Sequence, residues 1–236
     1  MKRIHWVEFE DLKWFPSLLR DYQTDVLEAT MRRLGLYNQC RPLLDELINT
    51  AEDGQVLDLC SGGGGPWPAW SATLPVGTRV VLSDLYPNRR AFQRIAVSHP
   101  NIQHFALPLD VCHVPQHLPG TRTLFTALHH LQPESVQQLL HDCAHQGKPL
   151  AAFDFNQRSL LHVALVAVTS GLLCWLLTPT LRPFRWSRLF LTYLVPVIPA
   201  LVCWDGIVSQ LRSYTLEELR GFVQHAQVPG YTWRVG

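Results

Sequence analysis

The sequence predicts an α/β fold built on a doubly wound, mostly parallel sheet. Apolar stretches of strand length alternate with helical patterns between residues 55 and 155, as expected for parallel strands that helices connect. The first strand, Gln55–Leu59, runs into four consecutive glycines, and Pro66 then favours the first turn of a helix. A strand, a glycine turn and a helix in this order form the start of a nucleotide-binding unit of the Rossmann type.

Length and composition limit the alternatives. A chain of 236 residues holds one core domain with additions. A net charge of +1 gives no reason to expect a nucleic-acid partner, and no lysine follows the glycines as it would in a P-loop. The six cysteines are scattered without a C-x-x-C pair, so we expect reduced thiols and no metal site. The N-terminus lacks the apolar run of a secretory signal, which predicts a cytoplasmic protein.

The chain divides into four predicted parts. Residues 1–50 form an N-terminal helical cap, in which Pro16 begins the first helix. Residues 51–157 form the Rossmann-like core, and residues 158–204 form a hydrophobic helical hairpin inserted after strand five. Residues 205–236 add a helix and a strand that complete the core.

The elements of the core follow from apolar periodicity and from prolines at helix starts. The predicted helices are Pro66–Leu74, Pro87–Ala96 and Pro133–His145, and the predicted strands after the first are Arg79–Ser83, Asn101–Ala106, Thr123–Leu128 and Pro149–Phe155. In the C-terminal part, Thr215 and Glu218 have the spacing of a capping box. Tyr231–Val235 has the pattern of a sixth strand.

Two uncharged segments follow strand five. They cover Ser159–Leu177 and Leu189–Trp204, and a turn with three arginines, Phe184 and Trp186 joins them. The first segment is nearly long enough to span a membrane, whereas the second is short and contains two prolines that would kink it. A hairpin that lies in the membrane interface, with its arginines at lipid headgroups, fits this pattern. A soluble cap over the site and a dimer interface are the alternatives.

The segment Asp58–Gly64 resembles the first motif of the class I S-adenosylmethionine-dependent methyltransferases. That motif is an acid followed by alternating glycines, and Gly62 and Gly64 fit two of its glycine positions, whereas Cys60 stands where the first glycine is usual. The second strand ends in Asp84, about 20 residues beyond the glycines, where a carboxylate reaches the ribose hydroxyls of a nucleoside. The resemblance implies a class I methyltransferase-like Rossmann fold and S-adenosyl-L-methionine as the cofactor. The family normally adds a seventh strand, for which this sequence shows no candidate.

The carboxyl ends of the strands are where a doubly wound sheet binds its ligand. The end of the third strand provides Asp110, which resembles the family's adenine-recognition position, and Val111 with its backbone N–H; a plain turn-forming role for Asp110 is the alternative. The resemblance places Ala127, after the fourth strand, at the methionine part of the cofactor. The predicted cofactor-binding residues are Asp58, Cys60, Ser61, Gly62, Gly64, Asp84, Leu85, Asp110, Val111 and Ala127.

His129 and His130 lie two and three residues after Ala127, in a region that carries paired histidines in many small-molecule methyltransferases. Because histidine titrates near neutral pH, either side chain is a candidate catalytic base for a substrate hydroxyl or amine. Alternatively, the pair satisfies backbone groups near a helix start. The predicted substrate contacts are Trp14 and Arg20 in the N-terminal cap, and Arg212 and Tyr214 after the hairpin.

Together these features predict methyl transfer to a small, lipophilic acceptor by direct SN2 attack on the sulfonium methyl. The candidate partners are that acceptor, the cytoplasmic face of a membrane, and a second copy of the chain through the hairpin. An NAD(P)-dependent Rossmann oxidoreductase is the first alternative, although no tyrosine is followed by a lysine four residues later. A non-catalytic, membrane-associated module that binds S-adenosylmethionine is the second.

Overall fold

The computed structural model describes residues 1–50 and 54–236. The predicted start of the core at residue 51 lies outside the described residues. The described chain divides into two compact units. Unit 1 contains Met1–Leu36 and Phe155–Tyr214, and unit 2 contains Tyr37–Asp154 and Thr215–Gly236. The four predicted parts are finer than this division and stay predictions.

Two of the three predicted core helices lie close to their predicted bounds, whereas the helix predicted over Pro66–Leu74 is α-helical only over Trp67–Trp70 and continues as a 3-10 turn. In chain order the helices are α1 (Ser17–Arg33), α2 (Arg41–Thr50), α3 (Trp67–Trp70), α4 (Arg89–Ser98), α5 (Pro133–His145), α6 (Leu160–Leu177), α7 (Trp186–Leu189), α8 (Val197–Arg212) and α9 (Leu216–His225). α5 has the bounds that the sequence predicted. The capping box of α9 is also confirmed, because Thr215 and Glu218 each accept the other's backbone N–H through their side chains.

Unit 2 is built around a sheet of five parallel strands. They are β1 (Gln55–Leu59), β2 (Arg79–Leu82), β3 (Ile102–His104), β4 (Thr121–Phe125) and β5 (Leu150–Phe153). Their order is β3-β2-β1-β4-β5, which confirms the predicted doubly wound fold. β1 is central, since Val56 pairs with Val80 of β2 and with Thr121 of β4. The chain changes sides of β1 between β3 and β4, which places the ligand crevice at the carboxyl ends of β1 and β4.

The strands of unit 2 are apolar because a parallel sheet is covered on both faces. Leu57, Leu59 and Leu124 form a buried core with Leu139 of α5. Burying a side chain of this kind contributes about 1.5–3 kcal/mol. The short helix after the glycines is fixed to the same sheet, because the ring of Trp67 packs edge-on against Phe125 at a centroid distance of 5.8 Å.

The prediction of a sixth strand over Tyr231–Val235 is wrong. Among the residues that the structure describes, this segment pairs with none of the five strands. Its side chains hold it instead: the Tyr231 hydroxyl donates to the Lys148 carbonyl at 2.9 Å, and Trp233 Nε1 donates to the Ala226 carbonyl at 3.2 Å. Because these two bonds leave from side chains, the segment is anchored without adding its backbone to the sheet.

Unit 1 is helical. Val166 of α6 lies against Gly206 of α8, and Cys174 of α6 shares a core with Ile198 of α8, so the two helices run antiparallel. The second arm of the predicted hairpin is not one helix. α7 continues into a π-helical turn, Phe190–Leu194, and the helix axis bends by 75° before α8 begins. A hairpin that forms a separate insertion stays a prediction.

One helical stretch of the described chain is long and apolar enough to cross a membrane. It covers Leu160–Thr180, with 21 residues and a mean hydropathy of 2.2, and 11% of its apolar window is buried. The stretches Trp186–Leu194 and Val197–Arg212 meet the same criterion only when the bent pair is counted as one span. These are properties of length and composition, and their meaning depends on what surrounds the helices.

Candidate functional site

The candidate site lies in unit 2, where the chain leaves β1 and β4. Cys60 follows β1 with a φ of +57°, and Thr126 follows β4 with a φ of +51°. Within residues 1–50 and 54–236 they are the only non-glycine residues with positive φ. This conformation costs on the order of 1–3 kcal/mol per residue and is most unusual for a β-branched threonine. Backbone strain of this kind concentrates at functional sites, and here it marks the two strand ends that border the crevice.

The left-handed backbone conformation of Cys60 explains why the methyltransferase motif usually has glycine at this position. Glycine adopts a left-handed conformation without a steric cost, whereas a residue with a Cβ does not. The turn nevertheless forms, because the Ser61 N–H donates to the Ser83 carbonyl at 2.9 Å and ties the loop to the end of β2. Further along the loop Gly64 has a φ of +111°, and a Cβ on it would lie 2.4 Å from Cδ1 of Ile95.

Asp84 joins the glycine loop to the end of β2. One carboxylate oxygen accepts the Gly62 N–H at 2.8 Å, and the other accepts the Tyr86 N–H at 2.8 Å. The Asp84 carbonyl accepts the Leu109 N–H at 2.9 Å, so the loop after β3 is tied to the same residue. The structure therefore brings the acid predicted to bind ribose next to the predicted glycine loop. Contact with a ribose stays a prediction.

Asp58 lies inside the sheet rather than at its surface. Its side chain is buried, and Oδ1 accepts the Thr123 hydroxyl at 2.6 Å. Burial raises the pKa of Asp58 to about 6, and the nearby charge of Asp84 acts in the same direction. The Asp58 carbonyl accepts the hydroxyls of Ser61 and Ser83 at 3.0 and 2.8 Å. Asp58 thus stabilises the loop through its carbonyl oxygen. Direct contact of Asp58 with a cofactor stays a prediction.

Asp110 forms the turn that the alternative interpretation expected. Its Oδ1 accepts the Cys112 N–H at 2.9 Å, and its Oδ2 lies 3.0 Å from Nδ1 of His113. Val111 is buried and Leu85 is exposed. These contacts leave the predicted adenine-binding role of Asp110 untested, because a carboxylate in a turn still accepts further hydrogen bonds.

His129 forms a close pair with Asp154, which sequence analysis did not single out. Nδ1 of His129 lies 2.7 Å from Oδ2 of Asp154, and the His129 backbone N–H donates to the same oxygen at 3.2 Å. His129 is buried in the turn after β4, and Asp154 follows β5 directly. Because β4 and β5 are neighbours, their carboxyl ends bring the two residues together. The available signal was an acid at the end of a predicted strand, Pro149–Phe155, and the observed strand stops just before it.

The His129–Asp154 pair determines what the imidazole can do. A carboxylate beside Nδ1 accepts a hydrogen bond from the N–H at that position. The neutral ring therefore presents Nε2 as the basic nitrogen. The same bond fixes the plane of the ring. The ring of His130 lies 4.3 Å from that of His129, between centroids, so both predicted catalytic histidines lie at this end of the sheet.

The thiols near the loop are poor nucleophiles. Burial raises the pKa of the Cys60 thiol well above its usual range, and the carboxylates of Asp84 and Asp58 raise it further. Burial also raises the pKa of the Cys112 thiol. Both side chains therefore stay protonated at neutral pH, which disfavours covalent chemistry through either sulfur.

Arg212, a predicted substrate contact, lies in unit 1 and is buried. Its Nη1 lies 3.0 Å from a Glu8 carboxylate oxygen and 2.6 Å from an Asp11 carboxylate oxygen. A buried cation needs such partners, and here the carboxylates supply them from within the same unit. Substrate binding by Arg212 stays a prediction.

The other three predicted substrate contacts also belong to unit 1. Arg20 donates to two backbone carbonyls of the turn before α1, at 2.9 and 2.7 Å. The guanidinium of Arg3 stacks on the ring of Tyr214 at 4.3 Å. Trp14 is 71% exposed. The structure therefore shows stabilising contacts for Arg20 and Tyr214, and it leaves their contact with a substrate untested.

Comparisons with known proteins add the following. No protein-family model matches the chain, and no curated protein matches it either. The chain is similar to a structure from Nostoc punctiforme described as a candidate O-methyltransferase, with 17% identity, a TM-score of 0.47, and 89% of this chain and 54% of that chain covered. It is also similar to PKMT2 from Rickettsia typhi in complex with AdoHcy, with 13% identity, a TM-score of 0.36, and 76% and 38% covered.

The chain spans about half or less of the length of both structures, at 54% and 38%. Likeness of this degree carries no argument about activity. The fold class rests on the sheet itself, whose strand order and glycine turn are those of a class I methyltransferase-like Rossmann fold, as the resemblance implied.

The left-handed conformation of Cys60 gives a first prediction. Replacing Cys60→Gly should raise the free energy of unfolding by about 1 kcal/mol, because glycine relieves the steric cost of positive φ. Urea denaturation at pH 7 measures the change. Cys112→Gly is the matched control and should lower stability, since Cys112 does not have positive φ. A loss of stability in Cys60→Gly would mean that packing of the thiol outweighs the backbone strain.

The raised pKa of Asp58 gives a second prediction. In the folded protein this carboxyl takes up its proton near pH 6, whereas the unfolded chain does so near 3.8. Protonation of Asp58 therefore stabilises the fold at low pH, and this contribution is lost as the pH rises through about 6. Asp58→Asn keeps the acceptor for Thr123 and should be more stable than the natural protein at pH 7.5, by at most about 3 kcal/mol.

The difference between Asp58→Asn and the natural protein should shrink as the pH falls from 7.5 towards 4. Urea denaturation at both ends of this range measures it, and Asp142→Asn on α5 controls for the loss of a carboxylate outside the site. A difference that stays constant with pH would show that Asp58 does not titrate in this range.

Proposed function

We propose that the chain is an S-adenosylmethionine-dependent methyltransferase. The observation that carries the proposal is the pairing of a strained glycine turn after β1 with Asp84 at the end of β2, joined by the hydrogen bond from the Gly62 N–H. The glycine turn lies at the point where the strand order reverses, between β1 and β4, and Asp84 is beside it at the end of β2. A carboxylate there suits the two hydroxyls of a ribose, which are hydrogen-bond donors.

The loop fits a cofactor without phosphates better than it fits a dinucleotide. A pyrophosphate binds the N–H groups and the dipole at the N-terminus of a long helix. Here α3 has four residues, and the prolines at 66 and 68 remove two of the N–H groups that would point at the phosphates. S-adenosylmethionine has no phosphate and carries a positive charge. These observations disfavour the NAD(P)-dependent alternative.

The proposed roles of the residues follow their positions at the strand ends. Asp84 would accept the ribose hydroxyls, and the turn at Cys60–Gly64 would pass close to the nucleoside. Asp110 and the backbone N–H of Val111 would bind the adenine, and Ala127 would line the methionine part. When bound, the cofactor supplies an activated methyl group for direct SN2 transfer. The protein aligns the acceptor with that methyl group and excludes water.

His129 is the proposed general base, and Asp154 is the residue that positions it. With Nδ1 bonded to Asp154, Nε2 is the nitrogen that takes a proton from a hydroxyl or an amine of the acceptor. The proposed acceptor is small and lipophilic, because the chain carries long uncharged segments suited to apolar molecules. The partly buried, protonated thiols of Cys60 and Cys112 support a direct transfer over a covalent intermediate.

Cofactor binding is the first test of the proposal. Isothermal titration of the full chain with S-adenosylmethionine should give micromolar affinity, and Asp84→Ala should weaken it at least about tenfold, since hydrogen bonds to a charged group contribute about 1.5–3 kcal/mol. Asp142→Ala is the matched control and should bind as the natural protein does. NADH should not bind. If neither compound binds, the proposal and both alternatives are contradicted, because each of the three requires one of these two cofactors.

The role of the His129–Asp154 pair is tested by methyl transfer from radiolabelled cofactor to a panel of lipophilic phenols and amines. Asp154→Asn should lower kcat about 10²-fold and shift the pH–rate profile, because the amide no longer fixes the tautomer of His129. Cofactor affinity should not change. If neither the rate nor the pH profile responds to Asp154→Asn or His129→Ala, the acceptor loses its proton without a base from the protein.

A further inference from the structure

One face of α6 is apolar and exposed. Its residues recur at helical spacing, and each is at least half exposed: Leu161, Leu165, Val168, Leu172, Trp175 and Leu176. The helix contains no aspartate, glutamate, lysine or arginine. Only 11% of its apolar window is buried, whereas the core helix of a water-soluble domain is mostly buried. A contiguous apolar surface of this size on a folded protein usually marks an interaction site.

The opposite side of α6 packs against a polar helix of the same unit. Cys174 and Leu177 of α6 share a core with Tyr22 and Val26 of α1. The outer positions of α1 carry Arg32 and Arg33, both exposed, and Arg33 Nη2 donates to the Thr180 hydroxyl just beyond α6. A charged side chain at the centre of a bilayer costs at least about 2.5 kcal/mol. Asp25 and Glu28 lie beside Val26, in the part of α1 that packs on α6, so crossing would carry charged side chains into the hydrocarbon. α1 therefore disfavours a crossing, although α6 alone is long enough.

The turn after α6 carries the residues typical of a membrane–water interface. Phe184 and Trp186 are exposed, with their rings edge-on at 5.1 Å, and Arg182 is exposed beside them. Tryptophan prefers the headgroup region, and arginine binds anionic headgroups there. Arg188 does not belong to this surface. It is buried, and its Nη1 lies 2.7 Å from the Asp25 carboxylate.

A groove in the same unit also favours an apolar ligand. It has a volume of about 590 Å³ and is lined by Phe9, Val195, Pro196, Val197, Leu201 and Trp204, with Ala200. The indole N–H of Trp204, a polar group of this lining, donates to the Val7 carbonyl at 3.0 Å. A hydrocarbon chain meets these requirements better than a polar molecule, because the groove offers it few hydrogen bonds.

We infer that unit 1 docks on one leaflet of an anionic phospholipid bilayer without crossing it. The exposed face of α6 enters the hydrocarbon boundary, and Arg182 and Trp186 lie at the headgroups. The polar helix α1 remains on the water side. This inference rests on contacts within unit 1 and does not depend on methyl transfer.

Flotation of the full chain with vesicles tests the surface. The chain should bind vesicles of phosphatidylcholine mixed with phosphatidylglycerol. The double substitution Val168→Glu and Leu172→Glu should weaken binding at least about tenfold, since it removes two exposed aliphatic side chains that docking would bury in the bilayer. Arg182→Gln should weaken binding to the anionic vesicles about fivefold. Its binding to pure phosphatidylcholine should not change.

The matched control is Val97→Glu, which places a charge on an 86% exposed aliphatic residue of α4 in unit 2. It should bind vesicles as the natural chain does. Equal binding of the double variant and the natural chain would overturn the inference. Failure of the natural chain to float would also overturn the inference. If the double variant then dissociates a dimer of the natural chain, a second copy covers this face.

Labelling of sealed vesicles distinguishes docking from crossing. Cysteines introduced by Gln157→Cys, before α6, and Arg182→Cys, after it, should both react with an impermeant maleimide in vesicles of one orientation, inside-out or right-side-out, above the level of the parent chain. Neither should react in vesicles of the other orientation. Reaction of the two positions from opposite sides would show that α6 spans the bilayer and would overturn the inference.

Discussion

The hydrogen bond between the Gly62 N–H and the Asp84 carboxylate is the contact on which the candidate site depends. It joins the loop after β1 to the end of β2 at 2.8 Å. Through its carbonyl, the same residue also holds the Leu109 N–H of the loop after β3. Three strand ends are therefore positioned around one acid. A charged acceptor suits this place, because its bonds to N–H groups are roughly twice as strong as those of a neutral acceptor.

The strain at Cys60 and Thr126 is tolerated because hydrogen bonds to neighbouring strands hold the backbone at Thr126 and directly after Cys60. The Thr126 N–H donates to the Phe153 carbonyl of β5 at 2.7 Å, and the residue after Cys60 is held by β2 in the same way. The buried Asp58 adds a second cost at neutral pH, since its pKa is raised to about 6. A fold retains such costs where surrounding contacts over-determine the backbone, and proteins keep them mainly at sites of function.

The sequence was sufficient for the elements whose signals are local. The five strands, α5 and the capping box of α9 follow from apolar runs, prolines and a three-residue spacing. Tyr231–Val235 has an equally local pattern, but side-chain anchors hold that segment away from the sheet.

Asp154 was missed because its partner His129 lies 25 residues earlier and only the pairing of β4 with β5 brings them together. Arg188 was grouped with lipid-facing arginines because its partner Asp25 lies 163 residues away.

The same limit explains why α6 alone suggests a membrane span. Hydropathy counts the residues of one segment and takes no account of its neighbours, and Leu160–Thr180 passes that count at 2.2. That count does not include α1, which lies far away in sequence and packs on one side of α6 with charged side chains beside the contact. α1 and α8 cover one side of α6, and its other side is apolar and exposed. A helix with one covered side and one apolar, exposed side suits docking on a bilayer, which we inferred above, better than crossing it, because burial of an exposed aliphatic side chain contributes about 1.5–3 kcal/mol, whereas a charge in the hydrocarbon has a cost.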